Sequence, residues 1–131
     1  GRVLSEKTAA NALKMLRGVV TDGTATMADV AGYSVAGKTG TADKPSATGG
    51  YEQKKVMATF ASVFPSYDPK YVLVVSMDEP EDTSGSEPRR SAGWTAAPIS
   101  GEIIGRVAPL LGLRPQIENP DSADITKVKW N

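Results

Sequence analysis

The feature that most limits the fold is a pair of apolar runs, Lys55 to Phe64 (KVMATFASVF) and Tyr71 to Met77 (YVLVVSM). The second is a nearly continuous β-branched and aliphatic run, the composition of a strand. Between them stands Pro65-Ser66-Tyr67-Asp68-Pro69, a turn sequence. Runs joined by so short a turn pair as an antiparallel hairpin. A third strand is expected over Tyr33 to Thr41, with Tyr33 and Val35 on one face and glycines that weaken it.

Helical periodicity flanks these strands. From Ser5 to Val20, the residues Ala9, Ala12, Leu13, Leu16 and Val20 recur at three- and four-residue spacings and share a face, which Leu4 and Ala10 extend less clearly. Ser5 suits the N-cap, and Gly18 or Gly23 lies near the end. Ala96 to Leu113 reads as a second helix with Ile99, Ile103, Val107 and Leu110-Leu111 on one face. Pro98 fits its first turn, whereas Pro109 should kink or end it. Thr21 to Gly32, Asp43 to Gly50 and Glu79 to Gly93 read as loops, the second a hairpin connection. The expected architecture is α+β: three antiparallel strands between N- and C-terminal helices, with a sheet edge and a face wanting cover. An exposed edge of that kind also offers a route to self-association. Residues 1–113 form this unit and residues 114–131 read as a polar tail, in which Trp130 has no assignment.

Composition excludes several chemistries. The 131 residues contain no Cys and no His, which removes thiol nucleophiles, His-based zinc sites and Ser-His-Asp triads. Fifteen basic residues balance fifteen acidic ones, so the chain carries no basic footprint for nucleic acid. No apolar run approaches the roughly 20 residues of a membrane helix. The abrupt opening Gly1-Arg2-Val3 reads as the start of a piece of a longer protein.

Gly32-Tyr33-Ser34-Val35-Ala36-Gly37-Lys38-Thr39 matches the phosphate-cradling pattern G-x-x-x-x-G-K-[ST] letter for letter. Tyr71 to Asp78 even resembles a magnesium-binding strand ending in Asp. Nucleotide binding is therefore one reading. It requires a buried strand before the loop and a helix after it. Thr26 to Ala31 makes a poor strand, and Gly40 and Pro45 spoil a following helix.

The other reading makes Lys38-Thr39-Gly40-Thr41 a substrate-binding strand. Lys38 supplies positive charge beside an acyl-transfer site. A hydroxyl at Thr39 or Thr41 donates to a substrate carboxylate. Gly40 lets a substrate backbone lie along the strand edge, and the Thr41 N–H serves as an oxyanion donor. Taken alone, those four residues are better described as a glycine-rich strand with an exposed lysine.

The surrounding residues add to this. Gly23-Thr24-Ala25, then Gly32 through Ala42, Gly49-Gly50-Tyr51, Ala58 to Phe64, Tyr71 to Pro80 and Gly93-Trp94-Thr95-Ala96-Ala97-Pro98 together resemble class B penicillin-binding proteins of the septal, cell-division type. The resemblance runs from about Ser5 to Leu113. It implies a peptidoglycan D,D-transpeptidase that cross-links stem peptides through a serine ester and is acylated by β-lactams. It implies a five-stranded sheet between helices, of which this chain supplies three strands. It further implies that Lys38 tunes the site and bonds to a neighbouring motif. Thr39 and Thr41 would hold a carboxylate, the Thr41 N–H would form half the oxyanion hole, and Tyr51 would line the groove. The implied setting is the periplasmic side of a bacterial inner membrane, among division-machinery proteins, with no cofactor or metal.

The family also needs S-x-x-K and S-x-N. No serine here has Lys three residues later or Asn two residues later. The remainder of the domain is therefore an implied partner, and the piece alone is expected to be inactive. A D,D-carboxypeptidase, a serine β-lactamase and a β-lactam sensor share the strand motif and stay open as alternatives. Asp78, Glu79, Glu81 and Asp82 are expected to be a solvated acidic loop rather than a metal site. Arg89-Arg90 is expected on the loop surface rather than against an anionic polymer. Trp94 and Tyr71 are expected to be packing residues.

Overall fold

The computed structural model describes residues 1–116. Helix α1 spans Glu6–Thr21. The Ser5 hydroxyl caps it by accepting from the Thr8 amide at 3.1 Å, and Glu6 complements the helix dipole in the first turn. Beyond its C-terminus, Gly23 fits tightly: a Cβ there would lie 2.8 Å from the Val19 backbone. A short 3-10 turn over Thr26–Ala28 follows.

Three strands form one antiparallel sheet in the order β1 (Ala36–Pro45), β2 (Tyr51–Phe64), β3 (Tyr71–Asp78). The hairpin expected from the two apolar runs is β2–β3, in register from Met57 opposite Asp78 to Phe64 opposite Tyr71. Strand β1 begins and ends later than the sequence suggests, and β2 begins earlier. Cross-strand pairing carries the β1–β2 ladder down to Pro45 opposite Tyr51, so the expected loop from Asp43 shrinks to its glycine-rich tip.

Alternation along β2 buries Val56, Ala58, Phe60, Ser62 and Phe64 on one face. Tyr71, Leu73, Val75 and Met77 of β3 join them against that core. Tyr71 packs on the Phe64 ring at 5.7 Å between centroids, and its hydroxyl donates to the Leu111 carbonyl. The opposite sheet face carries Met57, Ala61, Val72 and Val74, all exposed.

Helix α2 spans Ala96–Val107, with Pro98 in its first turn. It ends before Pro109 and closes through a turn in which Gly112 has φ +76°. Its buried stripe is Ala97, Ser100, Gly101, Ile104 and Ala108. The expected stripe was Ile99, Ile103, Val107 and Leu110-Leu111, yet Ile99, Leu110 and Leu111 are exposed. Close approach decides this orientation, not hydrophobicity. A Cβ on Gly101 would sit 3.0 Å from the Met27 carbonyl oxygen, so only the small-residue face fits against the 3-10 turn. Similarly, Val20 is the fully buried residue of α1, while Leu4, Ala9 and Ala10 are exposed. Of the expected tail, residues 117–131, Trp130 among them, lie outside the described residues.

Candidate functional site on the edge strand

Lys38-Thr39-Gly40-Thr41 lies in the middle of β1, an outer strand of the sheet among the described residues. Register sorts its side chains. Thr39 stands opposite Phe60 and Thr41 opposite Ala58, on the face that packs toward the helices. Lys38 stands opposite Ala61 and Gly40 opposite Thr59, on the open face. Lys38 is exposed, and its ammonium donates to the Thr39 carbonyl at 2.8 Å.

Two glycines in this strand differ in kind. A Cβ on Gly37 would lie 2.6 Å from both the Ala61 carbonyl oxygen and the Phe60 ring, so packing demands glycine there. A Cβ on Gly40 would meet nothing closer than the Thr59 carbonyl oxygen at 3.9 Å. Internal packing does not explain Gly40.

The two threonine hydroxyls are each engaged from outside the sheet. Thr39 Oγ1 lies 2.8 Å from Thr24 Oγ1, and Thr41 Oγ1 accepts from the Ala92 amide at 3.0 Å. The supporting segments also touch each other, since a Cβ on Gly93 would sit 2.4 Å from the Thr24 carbonyl oxygen. No role was expected for Thr24, Ala92 or Gly93. Thr24 and Gly93 were signalled only by the short runs Gly23-Thr24-Ala25 and Gly93-Trp94-Thr95, and Ala92 by nothing. Tyr51 sits elsewhere. It is exposed and pairs with Pro45, four residues along β1 from Thr41, or about 13 Å at strand spacing.

The loop from Glu79 to Gly93 that delivers Ala92 is built by ion pairs. Asp82 and Arg89 exchange backbone hydrogen bonds and join through their side chains, and Arg90 pairs with Glu81. Arg89 stacks on Trp94 at 3.7 Å from the ring centroid. Trp94 is thus a half-exposed platform for a cation rather than a core residue. Asp78 and Glu79 both bind Lys44 at 2.8 Å, which raises the lysine's pKa. The acidic cluster expected to face water is therefore paired with three cations. The Asp82 carboxyl is held below its ordinary pKa by the Ser84 side chain and amide, then by Arg89. Among the described residues, no three His, Cys, Asp or Glu side chains gather to hold a metal ion.

The nucleotide-binding reading fails on this geometry. Thr39 opens no helix, because the chain runs on as a strand to Pro45. A cavity of about 470 Å³ beside Arg17 touches Gly32 and Ser34 but neither Lys38 nor Thr39.

An antiparallel sheet with helices from both ends of the chain, and a Lys-Thr-Gly-Thr strand at its edge, defines an α+β unit with its candidate site on an outer strand. Comparison with known proteins narrows the class. The model of the penicillin binding protein transpeptidase domain matches residues 1–105. The probable peptidoglycan D,D-transpeptidase FtsI of Caulobacter vibrioides is 39% identical over 125 residues, covering 89% of this chain and 21% of that protein. Stage V sporulation protein D of Bacillus subtilis is 35% identical over 130 residues, covering 99% of this chain and 19% of that protein. Penicillin binding protein 3 of Mycobacterium tuberculosis, solved with ampicillin, superposes with a TM-score of 0.75 at 33% identity, covering 91% of this chain and 27% of that one. The transpeptidase domain of penicillin-binding protein 3 from Burkholderia pseudomallei also gives 0.75, at 37% identity, covering 90% of this chain and 34% of that one. The chain belongs to the penicillin-binding protein transpeptidase domain family. It spans about a fifth of the length of these curated relatives. Among the described residues, no helix is long and apolar enough to cross a membrane.

Proposed function

We propose that this chain is the C-terminal part of a peptidoglycan D,D-transpeptidase and supplies its substrate-binding strand. The observation that carries the reading is the Gly40 position, open on an edge strand between two supported threonine hydroxyls. A stem peptide or β-lactam lies along this edge, with its backbone over Gly40. Its carboxylate takes hydrogen bonds from Thr39 and Thr41, and its reacting carbonyl oxygen takes the Thr41 N–H. Lys38 places a positive charge on the open face, beside the serine that attacks. Tyr51 lines the outer end of the groove.

The serine and its base come from S-x-x-K and S-x-N segments outside residues 1–131. The apolar sheet face of Met57, Ala61, Val72 and Val74 supports this reading, since such a face asks for a covering layer. The rest of the domain provides it. The reading extends to acylation by β-lactams and a division role, which the family and a structural neighbour solved with ampicillin support, and to a membrane-anchored parent with this domain outside the cytoplasm.

The test is the rate of acylation by a fluorescent penicillin in the full transpeptidase. Lys38→Ala should slow acylation by about 100-fold, the loss typical of one preorganised electrostatic group. An unchanged rate would remove Lys38 from the site.

A further inference from the structure

We infer that Thr24 is a positioning residue for the carboxylate subsite, acting through its hydroxyl on Thr39. The inference rests on the carboxylate role proposed for Thr39 and goes one residue beyond it.

Proton bookkeeping carries the argument. A hydroxyl has one proton to donate, and a carboxylate only accepts. For Thr39 to donate to a carboxylate, its own proton must point there. The 2.8 Å contact between Thr39 Oγ1 and Thr24 Oγ1 must then run from Thr24 to Thr39. In that direction Thr24 fills an acceptor lone pair of Thr39, fixes its rotor and polarises its O–H toward the groove. Thr41 receives the same service from a backbone donor, the Ala92 amide at 3.0 Å. Among the described residues no amide meets the Thr39 hydroxyl, and the Thr24 side chain takes that place.

Thr24 is held firmly enough to do this. The next residue, Ala25, is fully buried, and its amide donates to the Val19 carbonyl at 3.1 Å. On the other side, Gly93 presses its Cα against the Thr24 carbonyl, where a Cβ would come to 2.4 Å. Packing therefore sets the backbone at residue 24 from both α1 and the segment before α2. One contact surface, Thr24 against Gly93, places the supports of both threonines.

The experiment uses the full transpeptidase and one penicillin as free acid and as methyl ester. The readout is the ratio of the two acylation rate constants, followed by mass spectrometry. Thr24→Val should lower the free-acid rate about fivefold, the scale of one lost neutral hydrogen bond, with the ester rate unchanged. Thr24→Ser, which keeps the hydroxyl, should restore the ratio. A purely structural role for Thr24 would move both rates together and would overturn the inference. So would an unchanged ratio in Thr24→Val beside a lowered ratio in Thr39→Val. If Thr39→Val leaves the ratio unchanged, the carboxylate role itself fails, and the inference falls with it.

Discussion

The backbone amide of Ala92 donates to the hydroxyl oxygen of Thr41 at 3.0 Å, across a sequence separation of 51 residues. The contact ties the loop before α2 to the middle of the edge strand. Ala92 is fully buried, so its amide has no ready substitute in water. It also leaves the Thr41 proton as the hydroxyl's free donor.

Thr41→Val should therefore cost stability as well as binding. It leaves a buried amide unpaired, a loss of about 1–3 kcal/mol. Urea unfolding would show this as a lower midpoint, with Thr41→Ser close to the parent. Equal midpoints for Thr41→Val and the parent would mean that the amide finds another partner.

Gly37 and Gly40 should separate stability from function. Gly37→Ala places a Cβ 2.6 Å from the Ala61 carbonyl oxygen and the Phe60 ring. Overpacking of that kind costs about 1–3 kcal/mol and should lower the melting temperature. Gly40→Ala makes only an ordinary contact, 3.9 Å to the Thr59 carbonyl oxygen, and should melt within about 0.5 kcal/mol of the parent. Its defect should appear in penicillin acylation by the full protein, because the added methyl would stand in the path proposed for the ligand backbone. A melting loss at Gly40 as large as at Gly37 would contradict the distinction.

The loop that carries Ala92 should be acid-sensitive. The Asp82 carboxyl titrates below its ordinary value because of Ser84 and Arg89. A depressed folded-state pKa contributes stability above the unfolded value of about 3.9, and that contribution is lost as pH falls through the lower folded value. Asp82→Asn should flatten the pH dependence of stability below about pH 4 relative to the parent. Parallel profiles for parent and variant would exclude the Asp82 carboxylate as the cause.

The sequence was most legible where spacing reports one dominant force. The β2–β3 hairpin followed from two apolar runs and a proline-bounded turn, and Ser5 was a correct cap because a hydroxyl there meets the Thr8 amide. The buried face of α2 was not legible. Ile99 and Leu110 are more apolar than Ser100 and Gly101, but a close approach to Met27 and Ala28 selects small residues. The Lys38–Thr41 strand was visible as letters, and the structure places all four residues together at a sheet edge. Its supports were not visible, because Thr24 and Ala92 act through single hydrogen bonds made across long loops. Glu81 and Asp82 looked like a solvated acidic run, since their partners Arg90 and Arg89 enter only when the loop folds back.

The central claim is that Lys38 to Thr41 completes a transpeptidase site whose serine lies on another segment. Fluorescent-penicillin labelling, read on a denaturing gel, tests it most directly. This chain is run alone and mixed with the preceding segment that carries S-x-x-K. The account predicts no label on this chain alone, and label on the upstream segment only when this chain is present. Covalent label on this chain alone, or on the upstream segment without it, would contradict the account.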